Sequence, residues 1–121
     1  MTKRKKMIIF LSYFNAELFM ISENDRKIIL RFAKKYRLSS VILFGSSFYN
    51  PDAKDIDIGI KGIKPASFFD FYWDIYSRLS KPVDVINLDK KNKFNQLVEQ
   101  DGQTIYGKII GLSNPSPESF P

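Results

Sequence analysis

The chain has 121 residues, 44% hydrophobic and 15% aromatic, which suits a single domain with one core. It contains neither cysteine nor histidine. Disulfides, thiolate catalysis, cysteine–zinc sites, the serine–histidine arrangement and most transition-metal sites are therefore excluded. Any catalysis must rest on carboxylates, amines, hydroxyls and hard, oxygen-bound cations.

The formal charge of +6 is unevenly spread. Lys3, Arg4, Lys5 and Lys6 form one run; without residues 1–19 the basic residues fall from 19 to 15 and the acidic ones from 13 to 12, leaving +3. A body this mildly basic is a poor match for a long nucleic acid, which selects a concentrated basic groove. With no disulfide and no clear export signal, the cytoplasm is the expected compartment.

In chain order, residues 1–19 join the basic run to a short apolar one, Met7 to Phe14. That run is too short to span a bilayer, and Asn15 and Glu17 stand where a cleavage site needs small residues. The segment reads as an accessory piece, packed on the domain or on a second copy of the chain, so a homo-oligomer stays open. The domain itself is expected over 20–110, and 111–121, with three prolines and no pattern, is expected to be a flexible tail.

Ser22 is an N-cap, with Asp25 at the third helical position as a variant capping box. Ile28, Ile29, Phe32, Ala33 and Tyr36 then recur at helical spacing, predicting a core-facing helix that ends near Leu38. Val41–Phe44 is a wholly apolar strand stopped by Gly45. Residues 47–54 read as loop, with Asn50-Pro51-Asp52 as the turn. Asp55 to Ile60 alternates, placing Asp55 and Asp57 on one face and Ile56, Ile58 and Ile60 on the other. Gly62 and Pro65 close this strand. A helix is expected over Ser67–Leu79 on the stripe Phe68, Phe71, Tyr72, Ile75 and Leu79. Pro82 opens a third strand, Val83–Ile86, and a last helix over about Asn92–Gln100 ends at Gly102. Ile105, Tyr106 and Ile109 suggest a short edge strand. The fold class is thus α/β (α+β), a small mixed sheet packed against helices.

Topology gathers the acidic residues. The loop after the first strand is too short for a parallel crossover, so the first two strands should pair antiparallel, with Ser46 beside Asp55. The helix-containing stretch 61–82 suits a parallel crossover, which brings Asp84 near Asp55 and Asp57. Three carboxylates and a Gly-Ser turn then share one sheet edge. Clustered like charges ask for a cation, and an oxygen-only set favours Mg²⁺ or Mn²⁺ completed by substrate phosphates, hence a nucleoside triphosphate.

Each motif alone has a plainer reading: Gly45-Ser46 as a strand-ending turn, Asp55 and Asp57 as a solvent face, Asp84 as a guard on a strand edge. Their order and common edge are what those readings leave unexplained. An EF-hand fails because Ala66 stands where its glutamate is needed, and Walker-type and dinucleotide-binding glycine motifs are absent.

Phe44-Gly45-Ser46, Asp55-Ile56-Asp57 and Asp84 in Pro82-Val83-Asp84-Val85 resemble the signature of the polymerase-β-like nucleotidyltransferases. The short chain and the Gln100-Asp101-Gly102 to Tyr106 ending resemble that superfamily's minimal branch, whose prokaryotic members often pair as antitoxins with HEPN-type proteins. The resemblance covers roughly 22–108 and implies a nucleotidyltransferase fold. It implies that Gly45 and Ser46 hold the triphosphate and that Asp55 and Asp57 bind Mg²⁺ or Mn²⁺. Asp84 would complete the second metal site and help deprotonate the acceptor hydroxyl. The implied activity is transfer of a nucleotidyl group, with ATP the expected donor, to a hydroxyl on a HEPN-like partner protein in a toxin–antitoxin pair. The alternative is a nucleotide-binding module of little or no activity that masks its partner, favoured by the short loop 47–54. Exposed aromatics expected among Phe48, Tyr49, Phe68, Phe69, Tyr72 and Trp73 support a protein partner over a long nucleic acid.

Overall fold

The computed structural model describes residues 21–107. The accessory segment, the tail and Ile109 lie outside them. Among the described residues no helix is long and apolar enough to cross a membrane.

Helix α1 (Glu23–Lys35) starts at Ser22, whose hydroxyl accepts the Asp25 amide at 3.0 Å. Only half of the expected capping box forms. The Asp25 carboxylate turns away from the cap, is 1% exposed, and accepts from the amide (2.9 Å) and hydroxyl of Ser80. The helix stops before Leu38. Arg37 takes a left-handed φ of 55°, and the bonds Leu38 N–H to Ala33 and Arg37 N–H to Lys34 form a Schellman ending.

The sheet has strand order β3-β2-β1-β4: β1 (Ser40–Phe44), β2 (Ile56–Lys61), β3 (Val83–Asn87) and β4 (Gln103–Gly107). β1 pairs antiparallel with β2 and β4, and β2 pairs parallel with β3, as the loop lengths require. The edge strand expected near Ile105 is β4. Between β1 and β2 a single helical turn, α2 (Ser46–Tyr49), occupies the first part of the expected loop. The predicted turn follows it: the Asn50 side chain accepts the Asp52 amide and its carbonyl accepts the Ala53 amide. The second long helix opens as a 3-10 turn at Pro65–Ser67 and continues as α3 (Phe68–Tyr76); α4 (Lys93–Asp101) is capped by Asn92.

Strand alternation sorts the side chains onto two faces. Val41, Leu43, Ile56, Ile58, Ile60, Val83, Val85 and Ile105 join Ile29 and Phe32 of α1 and Phe71 and Ile75 of α3 in the main core. Burying each such side chain is worth about 1.5–3 kcal/mol. On the other face Ile42 packs with Leu88 and with Val98 of α4, flanked by Phe44 and Ile86. Gly59 leaves room for Leu88, since a Cβ there would come within 2.7 Å of its side chain. That second face also carries Asp57 and Asp84.

Candidate active site

Asp57 is opposite Phe44 in the antiparallel pair and opposite Asp84 in the parallel pair, so the register itself brings the second and third carboxylates together. Asp55 lies just before β2. Its neighbour Ile56 donates its amide to the Pro82 carbonyl at 2.8 Å, tying the start of β2 to the approach to β3. All three predicted aspartates and the Gly45-Ser46 turn are therefore at one end of the sheet.

Gly45 has φ 69° and ψ −160°, a backbone conformation open essentially to glycine alone. A Cβ at this position would stand 2.6 Å from Asp57 Oδ2, so the turn and the carboxylate are in immediate contact. Ser46 is exposed beside it. The serine that touches β2 is instead Ser47, which sequence reasoning passed over. Its buried hydroxyl donates to the Phe44 carbonyl at 2.7 Å and accepts the Asp57 amide at 3.0 Å, locking the turn to the strand. A Ser-Ser pair carries no signal of which member faces inward.

Among the described residues the charge of the three aspartates is uncompensated. Burial, then the charge of Asp84, then that of Asp55 push the Asp57 carboxyl above its ordinary value. Among the described residues no ion pair engages any of the three aspartates. Among the described residues Asp84 accepts only a long bond, 3.4 Å, from the Tyr72 hydroxyl, which also donates to the Val83 carbonyl at 3.1 Å. Burial and the charge of Asp84 raise the Tyr72 hydroxyl in turn. As the side chains lie, no group of three carboxylates among the described residues closes into a ready-made metal cage. The donor set still suits Mg²⁺, which takes one or two carboxylates and leaves its other positions to water and phosphate.

No protein-family model matches the chain, and no curated protein sequence matches it. Solved structures do. One is the toxin–antitoxin complex MntA-HepT, at 19% identity and a TM-score of 0.56, covering 72% of this chain and 74% of that one. This is the nucleotidyltransferase fold of MntA. A second is the toxin–antitoxin complex with AMP-PNP, at 21% identity and 0.58, covering 69% and 73%. A third is a tri-AMPylated Shewanella oneidensis HEPN toxin in complex with MNT antitoxin, at 20% identity and 0.56, covering 71% and 72%. The expected fold class, a small mixed sheet packed against helices, is thus found both in the strand order and in the likeness to MntA.

A second surface belongs to this description of the MntA-like fold. On α3, Phe69 (78% exposed), Trp73 (65%) and Tyr76 join Tyr72 around an apolar hollow of about 350 Å³, and the Trp73 and Tyr76 rings are stacked at 6.2 Å. Phe48, Phe68 and Tyr72 are instead partly buried against the core, while Tyr49 is exposed as expected. Phe94 and Leu97 of α4 are exposed too, and sequence reasoning had not singled them out.

Proposed function

We propose that the chain is a minimal nucleotidyltransferase that transfers a nucleotidyl group, AMP from ATP, to an acceptor hydroxyl on a HEPN-like partner protein, as one half of a cytoplasmic toxin–antitoxin pair. The observation that carries the reading is the in-register pair Asp57 and Asp84 beside the Gly45 turn, a set of carboxylates without a cation partner among the described residues. Asp55, Asp57 and Asp84 would hold Mg²⁺ or Mn²⁺, which supplies charge neutralisation for the leaving pyrophosphate and acidifies the acceptor hydroxyl. The exposed Ser46 and the backbone of Gly45 hold the triphosphate. The acceptor oxygen attacks the α-phosphorus, the bond to the β-phosphate breaks, and the hydroxyl proton passes to Asp84. The likeness to complexes whose toxin is AMPylated, and to one holding AMP-PNP, supports both donor and partner.

The deciding experiment incubates the protein with Mg²⁺, labelled ATP and either total RNA or a HEPN-like partner. Label should move to the protein partner, and Asp57→Asn should stop the transfer while the complex persists. Label on RNA 3′ ends alone would replace the acceptor. Complex formation without label on either would favour the alternative, a masking module of little activity.

A further inference from the structure

Three consecutive residues, Ser80 to Pro82, carry bonds out of the turn between α3 and β3. Ser80 is held from one side by the buried carboxylate of Asp25. Lys81 reaches to the other side, its ammonium donating to the carbonyl of Pro51 at 3.0 Å and to that of Ala53 at 2.7 Å. The Pro82 carbonyl accepts the Ile56 amide, and Val83 begins the strand that carries Asp84. The segment 51–55, which ends in Asp55, is thus gripped at two carbonyls by one side chain and at its exit by one backbone bond.

We propose that Lys81 is a positioning residue for the metal-binding edge, fixing where Asp55 stands relative to Asp57 and Asp84. Asp57 and Asp84 are placed by strand register and need no such help. Asp55 lies outside the ladder, and no hydrogen bond of its own side chain holds it among the described residues. Its position follows that of the loop behind it. A loop carbonyl without a partner turns to water and the loop takes more conformations. Lys81 offers a charged, two-pronged bond, which is stronger than a neutral one and joins the two segments flanking the site. Groups that hydrogen-bond a metal ligand directly typically change metal affinity by about 10–100-fold when removed; Lys81 acts one step further out, through the backbone of 51–55, which puts its effect at the low end.

The inference rests on the nucleotidyltransferase reading, and its test separates the two. Full-length wild type, Lys81→Met, Lys81→Gln and Lys81→Arg are compared by amide exchange without nucleotide and by Mg²⁺ titration of ATP binding. Lys81→Met should speed exchange over residues 52–57 while leaving α1 and β4 unchanged, and should raise the half-saturating Mg²⁺ about tenfold. Lys81→Gln, which keeps a shorter donor, should fall between and serves if the methionine variant does not fold. Lys81→Arg should restore both quantities. Unchanged exchange, or faster exchange with an unchanged Mg²⁺ midpoint, overturns the positioning role. Wild type that binds no ATP at any Mg²⁺ concentration overturns the reading of the site itself, whatever the exchange shows.

Discussion

The Asp57 carboxylate lies directly against Gly45: Oδ2 occupies the space a Cβ on that glycine would need, 2.6 Å away. The turn that would hold phosphate and the strand that would hold metal are therefore one packed unit, and a change at either is felt at the other.

Gly45→Ala should consequently fail twice. The backbone conformation at φ 69° costs about 1–3 kcal/mol for a non-glycine residue, and the added methyl displaces the Asp57 carboxylate. Chemical denaturation should show a loss of that order, and calorimetry should show Mg–ATP binding abolished. Wild-type affinity in this variant would mean that the turn does not touch the nucleotide.

Asp57→Asn should act in opposite directions on stability and binding. The folded state raises the Asp57 carboxyl, so its contribution to stability is present below the ordinary value of 3.8 and is lost as pH rises through the folded value. At neutral pH the ionised group opposes folding, and the asparagine variant should melt higher than the wild type without metal. The gap should close as pH falls toward 3.8. Mg²⁺ should stabilise the wild type and leave the variant unmoved. An apo variant that melts lower than wild type at pH 7 would contradict the electrostatic account.

How much of this was legible beforehand depends on what each feature rests on. The β2 alternation announced which side Asp57 faces, and the stretch 61–82 announced a parallel partner carrying Asp84, because both follow from period and loop length. The α2 turn was not legible, since four residues are too few to show a helical period. Nor were the partners of Asp25, Ser47 and Lys81, whose bonds span 55, 10 and 28 residues and exist only once the elements have packed. Sequence pattern specifies faces; long-range polar bonds are decided by tertiary packing.

Tyr36 gives a prediction at the alkaline end. Its hydroxyl donates to Asp74 at 2.6 Å, and this bond, with burial, pushes the phenol up to about 12 while holding Asp74 below its ordinary value. The stability this bond contributes is fully present below the ordinary 10.0 and is lost as pH rises toward 12. Tyr36→Phe should cost about 1 kcal/mol at pH 7. The difference from wild type, followed by urea unfolding, should shrink between those two pH values. A constant difference up to pH 12 would show that the bond does not bear on stability.

The α3 hollow should matter to a partner and not to the fold. Phe69→Ser with Trp73→Ser removes two exposed rings, so the unfolding free energy should change little, within about 0.5 kcal/mol per site. If the partner seats there, calorimetric affinity should fall at least tenfold, as expected for central aromatic anchors. Full affinity in the double variant would move the interface elsewhere, with exposed Phe94 and Leu97 of α4 the next surface to test.

Trp73 is the sole tryptophan of the chain, and it sits on the outside, stacked on Tyr76 instead of inside the core. Its indole already meets water in the native state, so the red shift that reports a buried tryptophan's exposure will be small when the core melts. Spectroscopists following this protein's unfolding will need the amide signal. The same indole becomes a built-in sensor for anything that settles on α3, with a blue shift marking arrival and no engineered dye required.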